Sequence, residues 1–340
     1  MNATHGRSRR KKILRVSLIL LSLALVLVGS LLALHIWEGR RGIPSGGSGN
    51  NFSDSDKERP FIWYNGQKYA LRENIETLLL MGLDSFAGES LEGYDNDDRA
   101  DFLMLLLIDR EAGRCTSLHI DRDTMAEIQV IGVAGQVIGT ETAQLALAHT
   151  YGSGGQDSCR YTVQAVSSFL YETPIDHYLS MTMDAVQLLN DEAGGVTVTV
   201  MDDLTSVDPS LVQGKEVTLR GELALRYVRS RSGLEDNTNR HRMERQRQYM
   251  NALYEQLSAR YAADSGFGLR ALLKVADYMV SDCTLSALSD LLDEASSYSF
   301  VGIDTIEGES IVGERFMEFY PDEEKLQQLI LGLFYEPLAE

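Results

Sequence analysis

The chain has 340 residues, 44% of them hydrophobic, and its 31 basic and 50 acidic residues leave a formal net charge of −19. That length and apolar content exclude a disordered chain and allow one large core or two modest ones. The acidic balance argues against nucleic acid as a partner, so any gathering of arginines at one place needs a reason.

The chain opens with Arg7, Arg9, Arg10, Lys11, Lys12 and Arg15, with no acid among them, and residues 16–37 follow as VSLILLSLALVLVGSLLALHIW without a charge. As a helix that run is long enough to cross a hydrocarbon core of roughly 30 Å. The basic flank puts the N-terminus in the cytoplasm and the bulk of the chain outside. The run exceeds the apolar region of a signal peptide and ends in no small-x-small cleavage site, so an uncleaved signal anchor is expected. Residues 39–60, containing PSGGSGNN and SDSDKERP, have the composition of a flexible linker. The expected organisation is a cytoplasmic tail at 1–15, a transmembrane helix at 16–37, a linker at 38–70 and an extracytoplasmic domain at 71–340. Within that domain a core is expected at 75–260 and a helical part at 261–340.

The apolar run 75–81 reads as a buried strand that leads into Gly82-Leu83-Asp84, so Asp84 stands just beyond a strand's carboxyl end, where ligands bind in open α/β sheets. The acidic loop 95–98 reads as a solvated turn. The stretch DDRADFLMLLLIDREAGRCTSLHIDRDT, 97–124, holds two short apolar runs, 102–108 and 115–120, separated by a charged turn at 109–114. This predicts a β-hairpin, and antiparallel closure sets Arg99, Asp101 and Arg122 on one sheet edge. Guanidinium groups offer paired donors to phosphate oxygens and carboxylates suit hard cations, so such an edge suits phosphates and a metal; a solvated rim of salt bridges is the plainer alternative.

Residues 125–139 show no clean period. A helix is expected over 140–151, capped by Thr140 and stopped by the glycine-rich run 152–155, which has no Lys-Ser/Thr behind it and reads as a turn. Further helices are expected at 157–171 and 184–192, with strands at 175–181 and 196–200. Strands alternating with helices at this spacing indicate an α/β class.

A second basic group occupies LRGELALRYVRSR, 219–231, and NTNRHRMERQRQ, 237–248. Arg229 and Arg231 project to one side if that segment is extended. Arg242 and Arg245 lie one turn apart on a helix with an apolar face of Met243, Met250, Leu253 and Leu257. Helices at 269–280, 285–295 and 321–335 and a strand at 300–306 complete the pattern. Cys115, Cys159 and Cys283 are too few and scattered for a disulfide framework or a thiolate metal site, and His119, His149, His177 and His241 show no ligand spacing, so zinc is not indicated.

Seven motifs in order carry a resemblance to the LytR-CpsA-Psr family: Gly82-Leu83-Asp84, Arg99-Ala100-Asp101, Arg122-Asp123-Thr124, Asp176-His177-Tyr178, Gly194-Gly195-Val196, Tyr227-Val228-Arg229-Ser230-Arg231 and Arg242-Met243-Glu244-Arg245-Gln246. The resemblance implies a layered α/β/α sandwich around a mixed sheet, preceded by one transmembrane helix. It also implies a membrane-anchored phosphotransferase that moves a glycopolymer from a polyprenyl-pyrophosphate carrier to a peptidoglycan hydroxyl with Mg2+. Asp84 and Asp101 match the family's metal-site acids, and these two with Arg99 and Arg122 form the catalytic set. Arg99, Arg122, Arg229, Arg231, Arg242, Arg245 and Gln246 match groups at the pyrophosphate. Two departures stand out: Asp121 replaces a usual proline, and Gln144-Leu145-Ala146 replaces a usual Lys-Ile-Asn. The implied partners are the lipid-linked glycan, peptidoglycan and the membrane, with no nucleic acid. A polyprenyl-phosphate-binding regulator without turnover and a pyrophosphate hydrolase are the alternatives.

Overall fold

In the computed structural model the apolar run after Asn74 forms β1 (Ile75–Leu83), which pairs antiparallel with β2 (Ala100–Asp109); β2 turns back into β3 (Arg114–Ile120). Gly113, at φ +60°, closes the turn in a conformation that favours glycine. The expected hairpin is therefore present. β4 (His177–Met181) runs parallel to β1, β5 (Met279–Ser281) antiparallel to β4, and β6 (Ser299–Thr305) parallel to β3. The order across this six-stranded mixed sheet is β5-β4-β1-β2-β3-β6. The structure describes residues 61–85, 98–132, 135–230, 239–264 and 266–338. The expected tail and membrane span, the linker up to residue 60, and Arg231 lie outside them. Among the described residues no helix is long and apolar enough to cross a membrane.

Alternation along the strands loads both faces. Leu79, Met81, Leu103, Leu105, Leu118 and Ile120 point to one side, where they meet α1 (Gly155–Phe169) through Val166. Leu78, Ile108, Cys115 and Leu179 point to the other side. Beyond α2 (Met183–Glu192), α3 (Glu222–Arg229) and α4 (Arg240–Ala263), the chain covers that second face with α5 (Phe267–Val275) and α6 (Leu285–Ser297) through Leu272, Leu288 and Leu291. On the first face α7 (Glu323–Phe334) adds Leu326, Ile330 and Phe334, and Asp322 caps it by accepting from the Lys325 amide at 3.2 Å. Helices on both faces of a mixed sheet make the expected α/β/α layering.

A smaller core lies under α3 and α4. There Val196, Val198, Leu219, Ala224, Tyr227 and Tyr249 pack around a ribbon of strands Val196–Thr199 and Glu216–Leu219. This core fixes where the two arginine-bearing helices stand.

Several expectations are corrected. Residues 137–144 form a strand paired with Met125–Ile131, and only Leu145–Tyr151 is helical, as a 3-10 turn; pairing in register outweighs the helix formers among them. Residues 222–229 are helical, not extended, so Arg229 closes α3. In the part expected to be mainly helical, 261–340, the expected strand at 300–306 is present as β6, but residues 279–280 leave the expected helix and join the central sheet in β5. Residues 61–70, placed with the linker, form the hairpin Phe61–Tyr64/Gln67–Leu71, and Tyr335–Pro337 adds a third strand.

Candidate functional site

At the carboxyl end of β1 the pairing with β2 slips: Gly82 faces Phe102 while Leu83 faces Ala100, which leaves Asp101 as the extra residue of a bulge. Bulges re-aim side chains at sheet rims. The Arg99 carbonyl accepts from the amides of both Asp84, at 3.2 Å, and Asp101, at 3.0 Å, which ties the two residues together, and both line one cavity. Arg122, just past β3, forms an ion pair with Asp101 through Nη1, and its Nε lies 3.3 Å from Asp123 Oδ1. Arg242, buried on α4, reaches Asp101 Oδ2 from the opposite side at 3.8 Å. Arg229, at the end of α3, pairs with Asp84 Oδ1. Gln246, one turn beyond Arg242, donates to the Val228 carbonyl at 3.4 Å.

These residues, with Arg99, form the mouth of one cavity of about 380 Å³. Its remaining walls are apolar: Leu80 and Met181 from the sheet, Val186 and Leu189 from α2, Leu225 and Val228 from α3, and Met250 and Leu253 from α4. Four arginines face two carboxylates there, in a chain whose net charge is −19. An anionic head with an apolar tail matches both parts of the cavity.

The charges are held from behind. Burial works against the charge on Arg122, but Asp101, Asp123 and Asp121 outweigh it and hold the guanidinium above its ordinary value. Gln144, one of the two departures from the resemblance, donates to Asp123 Oδ1 and to the Met317 carbonyl, both at 2.8 Å. It positions Asp123, which in turn positions Arg122. Asp121, the other departure, accepts from the Asp123 amide at 2.9 Å and from Asn239 Nδ2 at 2.7 Å. Its carboxylate ties the turn after β3 to the start of α4 and does not line the cavity. Behind Phe102, at a ring separation of 5.0 Å, burial lowers the His119 imidazole to about 3, with Arg247 and Arg242 acting in the same direction. It is a neutral packing group.

Of the residues expected at the site, Asp84, Arg99, Asp101, Arg122, Arg229, Arg242 and Gln246 come together, and Arg231 lies outside the described residues. Arg245 is placed elsewhere. It is fully buried, pairs with Asp202 through Nη1, and donates from Nε to the Tyr227 carbonyl at 3.2 Å and from Nη2 to the Ser230 carbonyl. With each of its three guanidinium nitrogens directed at protein it supports the end of α3, from which Arg229 projects. Sequence reasoning did not find Val186, Leu189, Leu225 or Val228, because an apolar helical position that lines a cavity reads like one that fills a core.

The LytR_cpsA_psr family model matches residues 48–330. Polyisoprenyl-teichoic acid–peptidoglycan teichoic acid transferase TagV of Bacillus subtilis (strain 168) is 31% identical over 189 residues, 54% of this chain and 44% of that protein. The corresponding TagU of Bacillus cereus (strain AH820) is 28% identical over 203 residues, 60% of this chain and 59% of that protein. The chain thus spans about half the length of the curated relatives it matches. Among solved structures, that of TagT bound to LI-WTA aligns over 77% of this chain and 90% of its own, with a TM-score of 0.58 at 22% identity. A Streptococcus agalactiae protein, gbs0355, aligns over 76% of this chain and 86% of its own, with a TM-score of 0.63 at 19% identity. At those identities the likeness speaks to the fold alone.

Proposed function

Because the chain belongs to the LytR_cpsA_psr family, we propose that it is a membrane-anchored, extracytoplasmic phosphotransferase that moves a glycopolymer from a polyprenyl-pyrophosphate carrier to peptidoglycan. The observation that carries this reading is the single cavity that joins an arginine-rich mouth to apolar walls. A lipid-linked donor has that division of charge, and each buried methylene of its tail contributes about 0.8 kcal/mol. The relatives named as teichoic acid transferases support a cell-wall glycopolymer as cargo and peptidoglycan as acceptor. The uncharged run at 16–37 and its basic flank support the anchor and the orientation.

In this reading the pyrophosphate lies among Arg99, Arg122, Arg229 and Arg242, with Gln246 beside it. The peptidoglycan hydroxyl attacks the glycan-bearing phosphorus and gives its proton to solvent. The bond from that phosphorus to the bridging oxygen breaks, and polyprenyl phosphate leaves with the electron pair. Most of the catalysis is positioning and neutralisation of oxygens that gain charge. The arginines do this in a partly buried mouth, where their fields are screened less than in water. The adjacent carboxylates of Asp84 and Asp101 suit Mg2+, a hard cation that takes one or two carboxylates together with phosphate oxygens and water. When bound, the ion would add positive charge at the pyrophosphate oxygens. Each acid is also paired with an arginine, Asp84 with Arg229 and Asp101 with Arg122.

The test is to incubate the full-length chain in detergent with magnesium, a labelled polyprenyl-pyrophosphate glycan and peptidoglycan. Label on peptidoglycan is the expected result. Released phosphorylated glycan would replace the proposal with hydrolysis, and intact donor retained on the protein would replace it with a binding or regulatory role.

A further inference from the structure

At the other end of β4 from the donor cavity, three residues far apart in sequence converge. β4 starts at His177, and β5, its antiparallel edge neighbour, ends at Ser281, so Asp282 and Cys283 emerge beside His177. A ring nitrogen of His177, an Asp282 oxygen and Cys283 Sγ all lie within 4.8 Å of one another. We infer that His177, Asp282 and Cys283 form a binding site for a borderline divalent transition metal of the zinc class, separate from the donor site and independent of the function proposed for it.

Three features support this. First, the ligands are anchored: Asp282 Oδ1 accepts from the Tyr178 amide at 3.0 Å, Ser281 Oγ donates to the Tyr178 carbonyl at 2.7 Å, and the Cys283 amide donates to Ser281 Oγ at 3.1 Å. Second, His177 Nε2 lies 3.1 Å from Glu76 Oε1, and Glu76 is itself paired with Arg110. A carboxylate at that distance, on the side of the ring away from the cluster, is the kind of outer partner found behind metal-bound histidines. Nδ1 lies 3.2 Å from Asp282 Oδ2 in a hydrogen bond, close to the spacing of two ligand atoms around one zinc ion, so a metal ion would take the place of the proton between them. Third, an imidazole and a thiol select zinc-class ions over magnesium. Tetrahedral zinc sets its ligand atoms roughly 3.5 Å apart, so closure needs a movement of about 1 Å, which the half-exposed side chains allow. On binding, the Cys283 S–H proton and the proton between His177 Nδ1 and Asp282 Oδ2 pass to solvent, the sulfur, nitrogen and oxygen bond the metal, and the fourth position is left to water. No redox change is involved. No ligand spacing announces this cluster in the sequence, because His177 and Asp282 are 105 residues apart and only the β4/β5 pairing joins them. Such a clip would pin the edge strand β5 to β4, whose far end, Met181, lines the donor cavity.

The probe is Co2+, titrated into the full-length, untagged chain in detergent. Cys115 and Cys159 are buried, so Cys283 is the accessible thiol. One equivalent is expected to produce a thiolate-to-cobalt charge-transfer band, displaced by Zn2+ and not by Mg2+. Cys283→Ser should abolish the band, Asp282→Asn and His177→Ala should each weaken binding at least tenfold, and Asp84→Asn should leave it intact. Circular dichroism and a retained melting transition verify that each variant folds. Absence of the band in the wild-type chain, its survival in Cys283→Ser, or its loss in Asp84→Asn would overturn the inference. Cobalt binding that depends on His177 and Asp282 but not on Cys283 would likewise overturn it, by reducing the cluster to a charged imidazole between carboxylates.

Discussion

Arg245 and Arg229 both belong to basic motifs, yet the structure gives them opposite roles, and replacing each separates support from contact. In Arg245→Met the Asp202 carboxylate, with its side chain 20% exposed, loses its guanidinium partner, and the carbonyls of Tyr227 and Ser230 lose their donors. Breaking a buried pair by removing one partner costs about 3–5 kcal/mol. For a domain of this size that lowers the melting temperature by on the order of 10 °C. Arg229 is 42% exposed at its side chain and pairs with Asp84 at the mouth, so Arg229→Gln should change stability by less than about 1 kcal/mol. It should nevertheless weaken binding of a polyprenyl diphosphate by tenfold or more, because a charge-assisted contact contributes about 1.5–3 kcal/mol. The assay is thermal unfolding of both variants beside calorimetric titration with the diphosphate. An Arg245→Met protein that melted like the wild type and failed to bind would refute the reasoning and make Arg245 a ligand contact.

Three further outcomes are expected. In a magnesium titration of transfer activity, Asp101→Asn should be partly rescued by excess metal, whereas Arg122→Lys should lose roughly tenfold in turnover for each ~1.4 kcal/mol of lost transition-state contact at every magnesium concentration; rescue of the arginine variant alone would reverse the two roles. Leu189→Trp, which fills part of the apolar cavity, should weaken long-chain donors while leaving inorganic pyrophosphate unaffected, as measured by competition binding. His119 is lowered from 6.5 to about 3 by burial, with Arg247 and Arg242 adding to it, so between those values the unfolded chain takes up a proton that the folded one does not. Stability is therefore full above pH 6.5 and falls by up to ~1.4 kcal/mol per pH unit as pH drops through that window. His119→Phe should flatten the decline in melting temperature between pH 7 and 4, and superimposable curves would remove His119 as its source.

Much of the site could be read from the chain because it is local. Two short apolar runs bounded by charge dictated the β2–β3 hairpin, and its closure alone put Arg99, Asp101 and Arg122 on one rim. Arg229 and Arg242 came from the family resemblance, since nothing local tells an arginine at a site from one on a solvated helix. Nor could the chain separate Arg242 from Arg245: what distinguishes them is Asp202, which is 43 residues from Arg245 and positioned by the smaller core. Residues 140–144 read as helix because Glu141, Ala143 and Gln144 favour it, yet pairing with Met125–Ile131 decides the outcome. That pairing also places Gln144 against Asp123, which supports Arg122 from behind. The apolar half of the cavity was invisible for the opposite reason: its positions have the right period, and whether a periodic position fills a core or leaves a space depends on how α2, α3 and α4 stand over the sheet.

The central claim is that the arginine-rich mouth and the apolar walls form one binding site. Its most direct measurement is the affinity of the full-length chain for a series running from inorganic pyrophosphate through prenyl diphosphates of increasing length. At about 0.8 kcal/mol per buried methylene, each five-carbon unit should strengthen binding by at least about tenfold until the ~380 Å³ cavity is filled, after which affinity should level off. Equal affinity for inorganic pyrophosphate and the long-chain diphosphates would contradict the account, because it would mean that the mouth binds the head while the cavity takes no part.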